Sequence, residues 1–200
     1  MKIDTDTFPV LETRRLILRK VKKEDAKDIL NYLSDKEVMK YYGLEPFNSI
    51  NDALDEISWY QSIQNNKTGI RWGITLKEQG VMIGSCGFHN IVSKHSRAEI
   101  GFELSKEQWG NGIAVEAVET IISHGFEHLN LQRIEALIEP PNLSSQKLVE
   151  KIGFIREGLL RSYEFTCGEY DDLYMYSLLK QEFDKNSVSS PFSLIHEKVN

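Results

Sequence analysis

Cysteine is almost missing from this sequence: Cys86 and Cys167 are the only two in 200 residues. That is too few for a disulfide framework, and their separation excludes the C-x-x-C of a redox or zinc site, so two reduced thiols are expected. Also lacking is any stretch near the 18 consecutive apolar residues a membrane-spanning helix needs. Met1 to Asp6 show no basic segment leading into an apolar run, so no secretory signal is read there and a cytoplasmic protein is expected. Basic residues are outnumbered, 24 against 30 acidic, for a formal charge of -6. Such a balance disfavours direct nucleic-acid binding, which needs a basic face, and any anionic ligand must be held by a local site.

What is present is an ordinary globular chain, 40% hydrophobic and 27% charged. One domain is expected over 1–183, with a serine-rich, weakly patterned tail over 184–200. Leu16-Ile17-Leu18 reads as a first strand, and Ala26, Ile29, Leu30 and Leu33 as one face of a helix opened by Glu24-Asp25. A second helix carries Ile50, Ala53, Leu54, Ile57, Tyr60 and Ile63, with Asn48 or Ser49 as its cap. Trp72 to Leu76 and Val81 to Ile83 flank a Glu-Gln-Gly turn as a hairpin, and Arg97 to Leu104 adds a third strand. Gly84 and Gly87 in the hairpin mark a bulge or a close backbone approach. An apolar helical stripe follows from Ile113 to Leu129, then a strand at Ile134 to Ile138, a short helix from Asn142 stopped by Gly153, and a closing hairpin turning at Cys167-Gly168-Glu169. This order predicts an α/β (α+β) fold, a mixed sheet with helices on both faces.

Between the third strand and the long helix stands Glu107-Gln108-Trp109-Gly110-Asn111-Gly112-Ile113-Ala114. Gly110 and Gly112 let backbone approach a ligand, and the free N–H groups and dipole at a helix start favour phosphate. A tight strand-to-helix turn would need the same glycines. A P-loop is excluded because no Gly-Lys-Ser/Thr follows, and a dinucleotide fingerprint is damaged by Val115 in the third glycine position, although Glu139 stands where a ribose-binding acid would be.

Four segments narrow the choice. Leu11-Glu12-Thr13-Arg14-Arg15-Leu16-Ile17-Leu18-Arg19, Ala98 to Leu104, Trp109 to Ala117, and Asn142-Leu143-Ser144-Ser145 with Lys151-Ile152-Gly153-Phe154 together resemble the GNAT acetyltransferases. The branch they are most similar to is RimJ/RimL-like, whose members acetylate the N-terminal α-amine of ribosomal proteins. The resemblance, spanning about Leu11 to Leu179, implies a mostly antiparallel central sheet splayed into a V-shaped acetyl-CoA cleft between the strands ending at Leu104 and near Ile138. It implies a pyrophosphate grip by the amides of Gly110, Asn111, Gly112, Ile113 and Ala114. Trp109 occupies the position where many members carry Gln or Arg, so the loop itself brings no cation. Backbone at Phe102 and Leu104 would face the thioester, and Asn142 would both cap its helix and meet the pantetheine. Acetyl-CoA is the co-substrate implied, with no metal.

Acetyl transfer from a thioester requires a neutral amine, donors for the oxyanion and a proton for the thiolate. By resemblance Ser145 serves the thiolate and Glu164 is the base; a serine satisfying its own helix turn and a solvated carboxylate are the bland alternatives. Glu99 and Glu103 share one strand face and are the competing carboxylates for a water relay. No histidine announces itself as a base. Tyr174 and Tyr176 read as core rings with satisfied hydroxyls. Neutralising an α-amine at pH 7 costs roughly 1.1 kcal/mol, against about 4.6 for a lysine, so a protein N-terminus is the expected acceptor. Small-molecule amine acetylation and a non-catalytic acyl-CoA sensor are the alternatives. Tyr41 to Phe47 and Ser62 to Ile70 are expected to flank the acceptor, with Glu45, Glu56 and Glu164 attracting cations. His124-Gly125-Phe126-Glu127-His128 fits the H-x-x-E-H zinc pattern, but helical spacing turns Glu127 away from the two rings, which read as imidazoles at a negative helix end. Phe192, Leu194 and Ile195 leave the choice between monomer and homodimer open.

Overall fold

A computed structural model describes residues 8–187, in which eight strands form one sheet in the order β1-β2-β3-β4-β5-β6-β8-β7. The strands are β1 (Leu11–Glu12), β2 (Leu16–Lys20), β3 (Ile70–Leu76), β4 (Met82–Val92), β5 (Arg97–Leu104), β6 (Arg133–Ile138), β7 (Ile155–Thr166) and β8 (Glu169–Leu179). The helices are α1 (Ala26–Leu33), α2 (Lys36–Met39), α3 (Ile50–Asn65), α4 (Ile113–Glu127), α5 (Leu143–Ile152) and α6 (Lys180–Ser187). Every element expected from the sequence forms; β1, α2 and α6 are additional. The expected domain end at 183 falls inside α6, and the tail beyond Ser187, with Phe192, Leu194 and Ile195, lies outside the described residues. Among the described residues no helix is long and apolar enough to cross a membrane.

Local chemistry sets the helix ends. Ser49, not Asn48, caps α3, its hydroxyl accepting from the Asp52 amide while Asp52 accepts in return from Ser49 N and also from Asn48 N. α5 is capped by Asn142 and ended by Gly153 at φ 114°, a left-handed conformation glycine adopts without steric cost. On one face of the sheet, Ile113, Ala117, Val118, Ile121 and Phe126 of α4 and Val149 of α5 bury against Leu18, Trp72, Phe88 and Ile134. On the other, α1 and α3 enclose Val21 and Met82 with Ile29, Leu33, Ile57 and Tyr60. Helices therefore cover both faces, as expected.

All neighbouring strands are antiparallel except β5 and β6. That parallel pair is joined only at Arg97–Arg133, Ala98–Ile134 and Glu99–Glu135. Beyond Glu99 and Glu135 the two strands part while each stays paired on its outer side, β5 to β4 as far as Leu104 and β6 to β8 as far as Ile138. Every second amide of the free β5 edge then points into the gap. The expected V-shaped cleft is this fork.

Candidate active site

The glycine loop closes one side of the fork. Gly110 and Gly112 sit at φ 75° and 72°, left-handed values that reverse the chain straight into α4. The amides of Gly110, Asn111, Gly112, Ile113 and Ala114 donate to no described residue, as the first turn of a helix requires. Five donors with the positive end of α4 behind them suit a pyrophosphate. Trp109 does not face this nest with a polar group: its indole N–H donates to Leu104 O at 2.8 Å, pinning the loop to the end of β5.

A cation reaches the loop from a distant part of the chain. Arg15, just before β2, donates from Nη1 to Asn111 O at 2.9 Å and from Nε to Glu116 of α4 at 2.7 Å, while its Nη2 lies 3.7 Å from where a Cβ on Gly112 would be. Thr13 and the Arg15 amide also bond Glu116. Partial burial alone would raise the Glu116 carboxyl, but these donors outweigh it and hold it below the ordinary carboxylate value. The segment Leu11 to Arg19 does not single Arg15 out, because its placement depends on a contact across 96 positions.

On the opposite side, Asn142 Oδ1 accepts from the Ser145 amide at 3.1 Å and from Ser144 Oγ at 3.0 Å. Asn142 thus does the capping, which removes the expectation that Ser145 spends its hydroxyl on the helix turn. Ser145 Oγ is half-buried and engages no described residue.

The three candidate carboxylates have different environments. Glu103 is buried and locked, accepting from Arg71 Nη2 and Ser85 Oγ in a network that Tyr60 and Tyr32 extend. Burial raises its carboxyl even so, and with its oxygens held by Arg71 and Ser85 it is unavailable as a base. Glu99, at the last rung before the fork, meets His89 Nε2 at 3.3 Å. Partial burial pushes Glu99 up, but the His89 contact, Asn90 and Arg97 prevail and leave it below its usual range. Crowding by protein atoms, then the charges of Glu99 and Asp171, raise Glu164 on β7, with His89 opposing them. Glu99, His89 and Glu164 therefore share one electrostatic neighbourhood. The local signal for His89 is faint: on β4, directly across from Glu99, it continues the alternation after Gly87.

Next to this group is a cavity of about 410 Å³, whose lining includes Glu45, Glu139, Glu169 and Asp171 against Lys36 and Lys40. Burial and the neighbouring Asp171 and Glu164 raise Glu139. Gly43 to Pro46 line this cavity, whereas Ser62 to Ile70 packs on the end of β4, Thr68 O accepting from Ile91 N at 2.9 Å. Glu56 also fails the expectation, being buried and bonded to Tyr42 Oη at 2.8 Å. Tyr176 is a buried core ring whose hydroxyl donates to Glu150 at 3.0 Å.

In the H-x-x-E-H segment His124 packs edge-on to Trp72, centroids 5.4 Å apart, and 4.9 Å from the His128 ring. Burial, helped by His128, lowers His124 to about 4, so it is neutral and does not serve as a cation at the helix end. No group of three or more His, Cys, Asp or Glu suited to a metal occurs among the described residues.

A parallel pair that forks beside a nest of free amides defines a protein that receives the arm of an acyl carrier. Residues 15–155 match the Acetyltransferase (GNAT) domain family. The chain is 43% identical over 173 residues to the uncharacterized N-acetyltransferase YoaA of Bacillus subtilis (strain 168), covering 86% of this chain and 98% of that protein. It superimposes on spermidine N-acetyltransferase from Vibrio cholerae, solved with CoA and spermine, with a TM-score of 0.72 at 27% identity, covering 84% of this chain and 97% of the other. RimL, a ribosomal L7/L12 α-N-protein acetyltransferase solved with coenzyme A, shares the fold at a TM-score of 0.75 and 18% identity over 86% of this chain and 98% of its own. The chain belongs to the GNAT acetyltransferases and is an acyl-CoA-dependent N-acetyltransferase using acetyl-CoA as co-substrate.

Proposed function

We propose that this enzyme transfers the acetyl group by direct attack in a ternary complex, and that its acceptor is a protein N-terminal α-amine of the ribosomal-protein type, as in the RimJ/RimL branch. The observation that carries the reading is the Glu99–His89 pair at the last rung before the fork, with Glu164 coupled to both by charge: a base of modest strength suffices for an α-amine, whose neutralisation at pH 7 costs about 1.1 kcal/mol. In this scheme the amides of Gly110 to Ala114 and the Arg15 guanidinium hold the pyrophosphate, free amides of β5 around Phe102 and Leu104 polarise the thioester carbonyl, Asn142 orients the pantetheine and Ser145 Oγ supplies a proton to the departing sulfur. Glu164 receives the amine proton through water or an intervening side chain. The expected compartment is the cytoplasm, in keeping with two unpaired thiols.

A second reading is favoured by the acid-lined cavity, where Glu45, Glu139, Glu169 and Asp171 outnumber two lysines. Such a lining suits an acceptor with more than one positive charge, and the Vibrio cholerae relative is named for spermidine. Release of free CoA should be measured with N-terminal peptides, matched peptides offering only a lysine amine, and spermidine. The first reading expects the free N-terminus to exceed the lysine peptide and spermidine in kcat/KM. Spermidine turning over fastest would replace it with the second reading.

A further inference from the structure

His89 is assigned no step in the scheme above, yet its ring lies over Gly101, just beyond the point where β5 and β6 part. Glu99 is the last β5 residue paired to β6, and Gly101 is the next residue on the same strand face, already beyond the fork. Gly101 has no side chain, and the imidazole takes that space: a Cβ built there would lie 3.2 Å from His89 Cε1, 3.6 Å from Nδ1 and 2.8 Å from Arg71 Nη1. Even alanine would have to displace one of them. The ring is anchored at one nitrogen only. Nε2 meets Glu99, whereas Nδ1 is buried and bonds no described residue. Buried polar atoms are ordinarily paired, so an orphan nitrogen beside a substrate cleft calls for a role.

We propose that His89 is the catalytic proton acceptor, with Glu99 holding its Nε2–H and leaving the Nδ1 lone pair for the incoming amine. The groups facing it are Glu99 from β5, Arg71 from β3 and, through its charge, Glu164 from β7. A carboxylate on one imidazole nitrogen fixes the tautomer, so the other is the base, and it stabilises the imidazolium once formed. In the step itself the amine nitrogen bonds the acetyl carbon and passes its proton to Nδ1. The carbon–sulfur bond breaks with its electron pair on sulfur, and the thiolate is protonated from solvent by way of Ser145. The imidazolium then gives up its Nδ1 proton to solvent by way of Glu164, while Glu99 keeps the Nε2–H and so restores the starting tautomer. Glu164 becomes the outlet of the relay rather than the first acceptor.

This inference rests on acetyl transfer and not on which amine is acceptor, so the test uses whichever amine of the panel turns over fastest. His89→Gln and, independently, Glu99→Gln should bind acetyl-CoA by calorimetry within about threefold of wild type, which checks the fold and the cofactor cleft. At pH 7, His89→Gln should lower kcat by about 100-fold or more, and Glu99→Gln should lower it less. In both, much of the loss should be regained by pH 9, where solution already supplies neutral amine. A structural role would not produce that recovery. Two results would overturn the proposal: a kcat within threefold of wild type in His89→Gln with an unchanged pH profile, or an equal loss at every pH with acetyl-CoA binding intact. Should His89→Gln fail to fold, the same criteria apply to Glu99→Gln.

Discussion

Glu99 and Glu103 lie on one face of β5, and the fold gives them opposite fates. Glu99 stands at the fork with a half-exposed histidine for partner; Glu103 is sealed beneath α1 and α3 against Arg71. Removing the charge of Glu103 strands a buried guanidinium, a far more costly event than losing a surface ion pair. Glu103→Gln is therefore expected to cost about 3 to 5 kcal/mol of unfolding free energy, visible in a urea titration with unchanged m-value. A loss under about 1 kcal/mol would mean that Arg71 finds other acceptors. Burial also decides the chemistry of His124. Its folded value near 4 lies below the ordinary 6.5, so the unfolded chain binds the proton more readily. The stabilising contribution is complete above pH 6.5 and is lost as pH falls toward 4. His124→Gln should flatten the stability curve in that window, as followed by thermal unfolding at a series of pH values.

At the scale of elements, glycine sets how closely β3 and β4 approach. A Cβ at Gly87 would stand 2.2 Å from Ile70 O and 2.7 Å from Arg71 Cα, both backbone atoms that cannot swing aside. Gly87→Ala should therefore part these strands at an expense of about 1 to 3 kcal/mol, detectable as a lowered melting temperature. Periodicity exposed the long elements: the α4 stripe from Ile113 to Phe126 and the alternation in β6 are local patterns, and the structure buries Ile113, Ala117, Val118, Ile121, Ile122 and Phe126 of the one and Ile134, Ala136 and Ile138 of the other. The loop at Gly110 to Gly112 was legible for the same reason, since its glycines and the helix after it are adjacent in sequence. Arg15 and His89 were not. Each matters through partners on other elements, Asn111 and Glu116 for one and Glu99 for the other, and pairing over such distances leaves no local trace. α2 has only four residues, too short for a period to register. Glu56 misled because an acidic residue in a helix is ordinarily solvated, whereas Tyr42 gives this one a buried partner.

Across the whole molecule, charge is sorted rather than spread. A chain of formal charge -6 offers a phosphate nest with Arg15 at one side of the cleft and collects Glu45, Glu139, Glu164, Glu169 and Asp171 toward the other. On the proposed function, this sorting would give the anionic co-substrate and an amine acceptor separate approaches to the fork. The claim on which everything else depends is that the β5–β6 fork and its loop hold acetyl-CoA. Calorimetric titration of the wild type and of Gly112→Asp with acetyl-CoA tests it directly. Aspartate tolerates the left-handed backbone there at modest cost while setting a negative charge against the pyrophosphate. The account predicts micromolar binding to the wild type, weakened at least ~30-fold, or ~2 kcal/mol, in the variant. A folded wild type that binds no acetyl-CoA, or a variant that binds it equally well, would contradict the account.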